Sequence, residues 1–375
     1  MQRIICAMAM TMIALGMLPT AAAQSLTVTV DCSRGQTIAD ALKQGDSRKP
    51  LVVIVRGTCS EFVMITRSDV TLRGQSIEDS VVSGPGTSAP AILIQADRVN
   101  LEQMTVTGGA NGVVLSGPFG ASMTHVVVRD PSSGSAVLVR AGGDLGVSAC
   151  TLTQANIGLQ LQRGGSARVF SDTEIRDNDN AGVFAGVNST VNVGDGSKVT
   201  GNGGHGIEVQ TGSQANISNS EIAYNQTGVL VSGPSGASIG GGKSIHHNRE
   251  HGVLAQAGAV LSVYGTTVEH NGQVGVFGYL GATVVMGGNE ITDNGGTGVF
   301  CMNDCTLQIS GDRITRNGQS GISVLRRSTL IVLEPPTDAS GNNGGDLWCG
   351  DKESSVDLGA NFTGNVDSAC TGFND

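Results

Sequence analysis

The stretch SIHHNREHGV, from Ser244 to Val253, places His246, His247, Glu250 and His251 close together. Imidazole and carboxylate groups are common in acid–base catalysis and in transition-metal binding. On a helix, His247 and His251 would stand four residues apart on one face with Glu250 beside them, as half of a zinc site. His205 and Tyr224 precede this stretch, and Glu269, His270 and Asp293 follow it. What these side chains can do depends on the backbone that carries them.

That backbone is repetitive. A GV or GI dipeptide recurs at Gly182, Gly206, Gly228, Gly252, Gly275, Gly298 and Gly321, spaced 22 to 24 residues apart, with weaker copies at Gly158, Ser135 and Gly112. A fixed period of this length marks a solenoid. Each unit holds three short alternating runs, such as STVNV, TEI and GVFA, too short and too rich in Gly, Val, Ile and Thr for helix. Three strands per unit, each stacking on its counterpart, predict an all-β, single-stranded parallel β-helix of about twelve coils from Leu51 to Leu333. Composition agrees: 56 glycines and 3% aromatic residues favour tight turns over an aromatic-cored sandwich or barrel.

A second column fixes the register. Asn178, Asn202, Asn225, Asn248, Asn271, Asn294 and Asn317 each fall three or four residues before a repeat glycine. They are expected to form a structural ladder of side-chain hydrogen bonds along one corner. With a corner at Asn248 there is no helix, and the half-zinc reading falls. Alternation turns Ile245 inward and His246 outward. Five of the six histidines then gather along one corner, His246 and His247 on one side of it and His251 on the other, with Glu250, Glu269 and Asp293 among their acidic neighbours. Tyr224, His247, His270 and Asp293 share a column, so His247 is expected to stack on His270. The candidate catalytic set is His205, Tyr224, His247, Glu250, His251, Glu269, His270 and Asp293. No closed set of three or four ligands emerges from the spacing, so no dedicated metal site is expected. The strand after the repeat glycine turns Phe184, Leu230, Leu254, Phe277 and Phe300 outward, with Tyr279 extending them. Such an apolar stripe suits a protein contact, a covering segment or a sugar-stacking surface.

The ends differ from the repeat. Residues 1–23 carry Arg3, an apolar run and an A-x-A pattern at Ala21 and Ala23, which predict a secretory signal peptide and a secreted or periplasmic protein. No later run is long and apolar enough for a membrane span. Residues 24–50 read as an N-terminal cap, 51–333 as the solenoid, and 334–375 as a terminal coil and C-terminal cap. A net charge of −10 argues against nucleic acid and anionic lipid as partners. Of eight cysteines, Cys6 belongs to the signal peptide. Sequence proximity pairs Cys32 with Cys59, Cys301 with Cys305 and Cys349 with Cys370, leaving Cys150 as a buried thiol on an inward column with Thr173, Ser197 and Ser220.

These features, with VDCSRGQTIADALK, LVVIVRGTCSEFVMI and VTLRG at the N-terminal side, resemble the right-handed parallel β-helix proteins of the pectin-lyase-like superfold, in particular the bacterial branch with short repeats. The resemblance implies an amphipathic helix plugging the first coil, a role that Thr37 as N-cap with Ile38 and Leu42 matches. It also implies a polysaccharide partner, and calcium as a possible bound ion. The G-H-G of related hydrolases occurs here at Gly204, His205 and Gly206. One coil earlier, however, stand Asn180 and Ala181 instead of an acidic pair, so the tripeptide is read as a product of glycine-rich turns. The expected function is binding or processing of extracellular or cell-envelope polysaccharide by a lyase, epimerase or hydrolase. The alternative is a non-catalytic rod that meets protein through the apolar face.

Overall fold

Alternation of Val, Ile and Leu with polar residues builds short parallel strands that stack coil upon coil. The computed structural model describes residues 25–370 apart from Thr87, Lys243 and Ser368, and the expected signal peptide lies outside them. The strands form a 26-stranded and a 13-stranded parallel sheet. The larger sheet comprises two faces, because Leu51–Ser60, Val99–Gly108 and Gly120–Arg129 run round the corner between them and pair on both sides. The smaller sheet is the third face, and its thirteen strands exceed the twelve coils that the repeat suggests, because the coil carrying Leu347–Cys349 stacks beyond Leu333.

Inward residues, one on each short second-face strand and two on most strands of the other faces, build the core. On the second face Ile175, Val199, Ile222, Ile245, Val268, Ile291 and Ile314 form one buried stack. On the third face Val183, Ile207, Val229, Val253, Val276, Val299 and Ile322 form another. The interior is thus long rows of branched aliphatic side chains, which suit a pleated surface.

The corner between these two faces positions the candidate chemistry. The chain leaves the second face through one residue in the left-handed region: Tyr224 at φ 59°, His247 at 54°, His270 at 53°, Asp293 at 55° and Arg316 at 57°. This region is uncommon for such side chains, and the buried asparagine that follows holds it. Asn248 donates from Nδ2 to Asn271 Oδ1 (2.9 Å) and to the Ile222 carbonyl (3.2 Å). Its Oδ1 accepts from the backbone N–H of Asn225 at 3.0 Å and from Asn225 Nδ2 at 3.2 Å. The same pattern runs from Asn178 through Asn317 and extends to Asn342, which accepts from Asn317.

The ladder explains the repeat glycines. A Cβ on Gly252 would lie 2.6 Å from the Gly275 carbonyl oxygen and 2.8 Å from Asn271 Nδ2. Gly206, Gly228, Gly275 and Gly298 are similarly enclosed. The G-H-G therefore contains a structural glycine at Gly206.

The ends are closed differently. The helix Ile38–Ala41 is capped by Thr37, whose side chain accepts from the Asp40 N–H, and Ile38 is buried beneath it. Glu61 accepts from the N–H groups of Ile38 (2.7 Å) and Ala39 (3.1 Å), fastening the helix to the first coils. Disulfides join Cys32 to Cys59, Cys301 to Cys305 and Cys349 to Cys370. Cys150 is free and buried, and burial pushes its thiol up to about 11.

Candidate functional site

The Asn ladder divides the candidate residues into two groups. On the second-face side lies a polar edge. Tyr224, His247 and His270 occupy the left-handed position of three successive coils, and their rings stack along the rod. Tyr224 and His247 have centroids 5.3 Å apart, and His247 and His270 are 5.1 Å apart with planes only 5° from parallel. Stacked in this way the rings cover one another's faces and leave their edges at the outer surface of the corner. Tyr224 is 57% exposed.

His246 sits beside this stack. Its Nδ1 lies 2.8 Å from His247 Nδ1, and its Nε2 lies 3.5 Å from Glu221 Oε1. Partial burial lowers the His246 pKa, against the opposing pull of Glu221, so its imidazole is neutral near neutral pH. Glu269 follows His246 in register on the next coil and lies 3.5 Å from His270 Nδ1. Glu221, Ser244, His246, Thr267 and Glu269 line a shallow cleft of about 510 Å³. Asp293 ends the edge: Arg316 holds it in a two-pronged pair at 3.0 and 2.8 Å, which keeps its carboxyl below the usual range.

His205, Glu250 and His251 do not join this edge. They follow the corner asparagines and belong to the approach to the third face. His251 packs edge-on against Phe277 with centroids 5.3 Å apart, and burial lowers its pKa. Glu250 accepts from Gln226 Nε2 at 2.9 Å. His205 begins the strand His205–Val209, and its Nδ1 is buried without a hydrogen-bond partner. The repeat register sets His246 and His247 on one side of the corner and His251 on the other, and the structure keeps that division: the buried asparagine between His247 and His251 turns the chain, and the two face different neighbours.

The apolar stripe is also shorter than alternation implies. Leu230 is only 6% exposed, and Glu208 interrupts the column between Phe184 and Leu230. What remains is a cluster toward the C-terminal end. Phe277 stacks on Phe300 at 5.0 Å and lies 5.7 Å from Tyr279, with Leu254 one coil earlier in register. Trp348, 42% exposed, continues the Phe277 column beyond Ser323. It was legible only by carrying the repeat past Leu333 into a segment with no GV dipeptide.

A second buried polar column, adjoining the first face, was only partly visible in the sequence. Thr266, Asn289, Asp312 and Thr337 continue the column of Cys150, Thr173, Ser197 and Ser220. Asp312 accepts from the Asn289 N–H (2.9 Å), Asn289 Nδ2 (2.7 Å) and the Ser310 N–H (3.2 Å). Burial nevertheless raises its pKa to about 6.

A family model described as "Right handed beta helix region" matches residues 62–214 and 193–335. Comparison with curated proteins gives no sequence match. Among solved structures, the periplasmic alginate epimerase AlgG shares 14% identity, covering 90% of this chain and 83% of its own, with a TM-score of 0.50. The Dettilon tailspike protein shares 14% identity, covering 82% of this chain and 64% of its own, with a TM-score of 0.51. The mannuronan C-5 epimerase AlgE6 A-module of Azotobacter vinelandii shares 15% identity over 85% of this chain and 92% of its own, with a TM-score of 0.45.

Proposed function

The chain belongs to the right-handed β-helix family, and from that premise we propose that it is an exported protein that binds and processes an extracellular or cell-envelope polysaccharide at the polar edge. The observation that carries this reading is the row of ring edges of Tyr224, His247 and His270, set one per coil beside the Glu221–Glu269 cleft. A glycan laid along the rod meets hydroxyl, imidazole and carboxylate groups at the coil spacing, the mixture that hydrogen-bonds sugar hydroxyls. The neutral imidazole of His246 and the carboxylate of Glu269 are the groups placed to move a proton on a bound sugar.

The charges narrow the substrate class. Glu221 and Glu269 face the cleft, while Arg176 is held by Glu174 and Asp177, and Arg316 by Asp293. A neutral or amino-sugar polymer suits this edge better than a polyuronate, whose carboxylates these groups repel. The edge mixes imidazoles with its carboxylates instead of presenting the six to eight oxygen ligands that calcium takes, so no step is assigned to calcium. Export is supported by the leader pattern and by three disulfides, which persist in oxidising compartments. Among the described residues no helix is long and apolar enough to cross a membrane.

The test incubates purified protein with neutral, amino-sugar and uronate polysaccharides, with and without calcium, and measures binding, new reducing ends and unsaturated products. Tyr224→Ser and Glu269→Gln should each weaken binding to the preferred glycan. No binding across the panel, or binding unchanged in the double variant, sinks the reading. A second reading rests on the cluster of Phe277, Tyr279, Phe300 and Trp348: a rod that contacts protein through its third face. Concentration-dependent self-association abolished by Phe277→Ser with Phe300→Ser, together with no glycan binding, would favour it.

A further inference from the structure

His246 and His247 are sequence neighbours, and in a continuing strand they would point to opposite faces of the sheet. The left-handed φ of His247, 54°, turns the chain so that both rings stand on the outer surface with their Nδ1 atoms 2.8 Å apart. Without an ion, one nitrogen must donate its proton and the other accept it. Two neutral rings with both protons on Nε2 would instead aim two lone pairs at one point. For a metal about 2.0 Å from each nitrogen, this separation matches ligands at a right angle, about 2.8 Å apart, and not a tetrahedral pair, about 3.3 Å apart.

The next coil repeats the arrangement. Glu269 stands in register with His246, and His270 stacks on His247. The four donors meet in two pairs, His246 with His247 and Glu269 with His270. No three of their ligand atoms lie within 4.8 Å of one another, so an ion seated on the first pair draws in the second by side-chain rotation. The His270 side chain is 50% exposed and free to turn, and its Nδ1 already lies 3.5 Å from Glu269 Oε2. Behind the patch, Glu221 lies 3.5 Å from His246 Nε2, where a carboxylate orients a ligating imidazole and accepts its outer N–H.

We propose that His246, His247, Glu269 and His270 form a binding site for one divalent transition ion with a preference for tetragonal geometry, copper(II) ahead of nickel(II). Imidazole-rich donors select such ions over calcium and magnesium, and copper(II) leads the affinity order. The site goes beyond the polysaccharide reading and stands without it. It also departs from what spacing alone suggests, because only the corner brings consecutive residues to one side.

The test uses protein without an affinity tag, titrated separately with copper(II), nickel(II) and zinc(II) by calorimetry, with electron paramagnetic resonance of the copper form. One equivalent of copper should bind, with hyperfine structure from at least two nitrogens. His246→Thr and His247→Asn should each weaken it at least tenfold. Threonine occupies the same column at Thr200 and Thr292, and asparagine tolerates the left-handed backbone. His205→Asn and His251→Asn, beyond the ladder, should leave binding unchanged. Matching unfolding temperatures of the metal-free proteins establish that the variants fold. No stoichiometric binding, binding unaltered in both edge variants, or equal loss in His251→Asn would overturn the proposal. Glycan binding measured in a chelator separates its failure from that of the polysaccharide reading.

Discussion

Asp312 offers a measurement that tests the physics of the rod away from any ligand. It is 1% exposed, its carboxyl is held by Asn289 and Ser310, and its backbone N–H donates to the Thr337 hydroxyl. Burial raises its pKa from 3.8 to about 6, despite three hydrogen bonds that favour the ionised form. The folded chain therefore holds this proton more tightly than the unfolded chain. The associated stability is complete below pH 4 and is lost as pH rises through about 6. A shift of roughly two units is worth about 3 kcal/mol at neutral pH. Asp312→Asn stays neutral throughout, and its Oδ1 can accept from Asn289 as Asp312 does. It gives up the bond from the Ser310 N–H, a loss of about 1 kcal/mol. The expected net gain is about 2 kcal/mol at pH 7.5, giving way to a loss of about 1 kcal/mol at pH 4, where only the missing Ser310 bond counts. Parallel unfolding of both proteins in urea, followed by far-ultraviolet circular dichroism from pH 4 to 8, reads the difference. Stacked coils need not unfold in one step, so the comparison uses the same transition in each protein. A variant no more stable than the parent at pH 7.5, or a gain of equal size at pH 4, would refute the assignment of a buried, reluctantly ionised carboxyl.

Three further outcomes follow from the packing. Asn248→Ala strands the amide groups of Asn225 and the Ile222 carbonyl inside the rod, and should cost at least 3 kcal/mol in urea unfolding. Gly252→Ala drives a Cβ to within 2.6 Å of the Gly275 carbonyl oxygen, and should destabilise by about 1–3 kcal/mol or more, whereas Gly258→Ala meets no atom and pays only for its positive φ. Cys150, buried and with its thiol pushed up to about 11, should resist iodoacetamide at pH 8 in native protein and react at once in guanidinium, as mass spectrometry would show; labelling of the native protein would contradict its burial.

Much of this molecule is local information. The 22- to 24-residue spacing of the repeat glycines, the two-residue alternation of Val and Ile, and the asparagine column are properties of the chain itself. They specify a solenoid, its register and its inward residues, because a strand's side-chain period does not depend on what the strand packs against. Even the necessity of glycine at Gly252 has a sequence correlate, the asparagine a few positions before it. The column of Tyr224, His247 and His270, and the placing of His251 across the corner from His247, were legible in the same way. The pairing of His251 with Phe277 and of His246 with His247 was not, because the left-handed corner followed by buried Asn248 sets both. Likewise alternation marked Leu230 as outward, and only its neighbours in adjacent coils make it buried. Burial, ring stacking and the 2.8 Å approach of His246 to His247 arise from the turn angle and from residues a whole coil away. Those contacts came from the tertiary structure, because a repeat states which residues share a column but not how far each corner rotates its side chains.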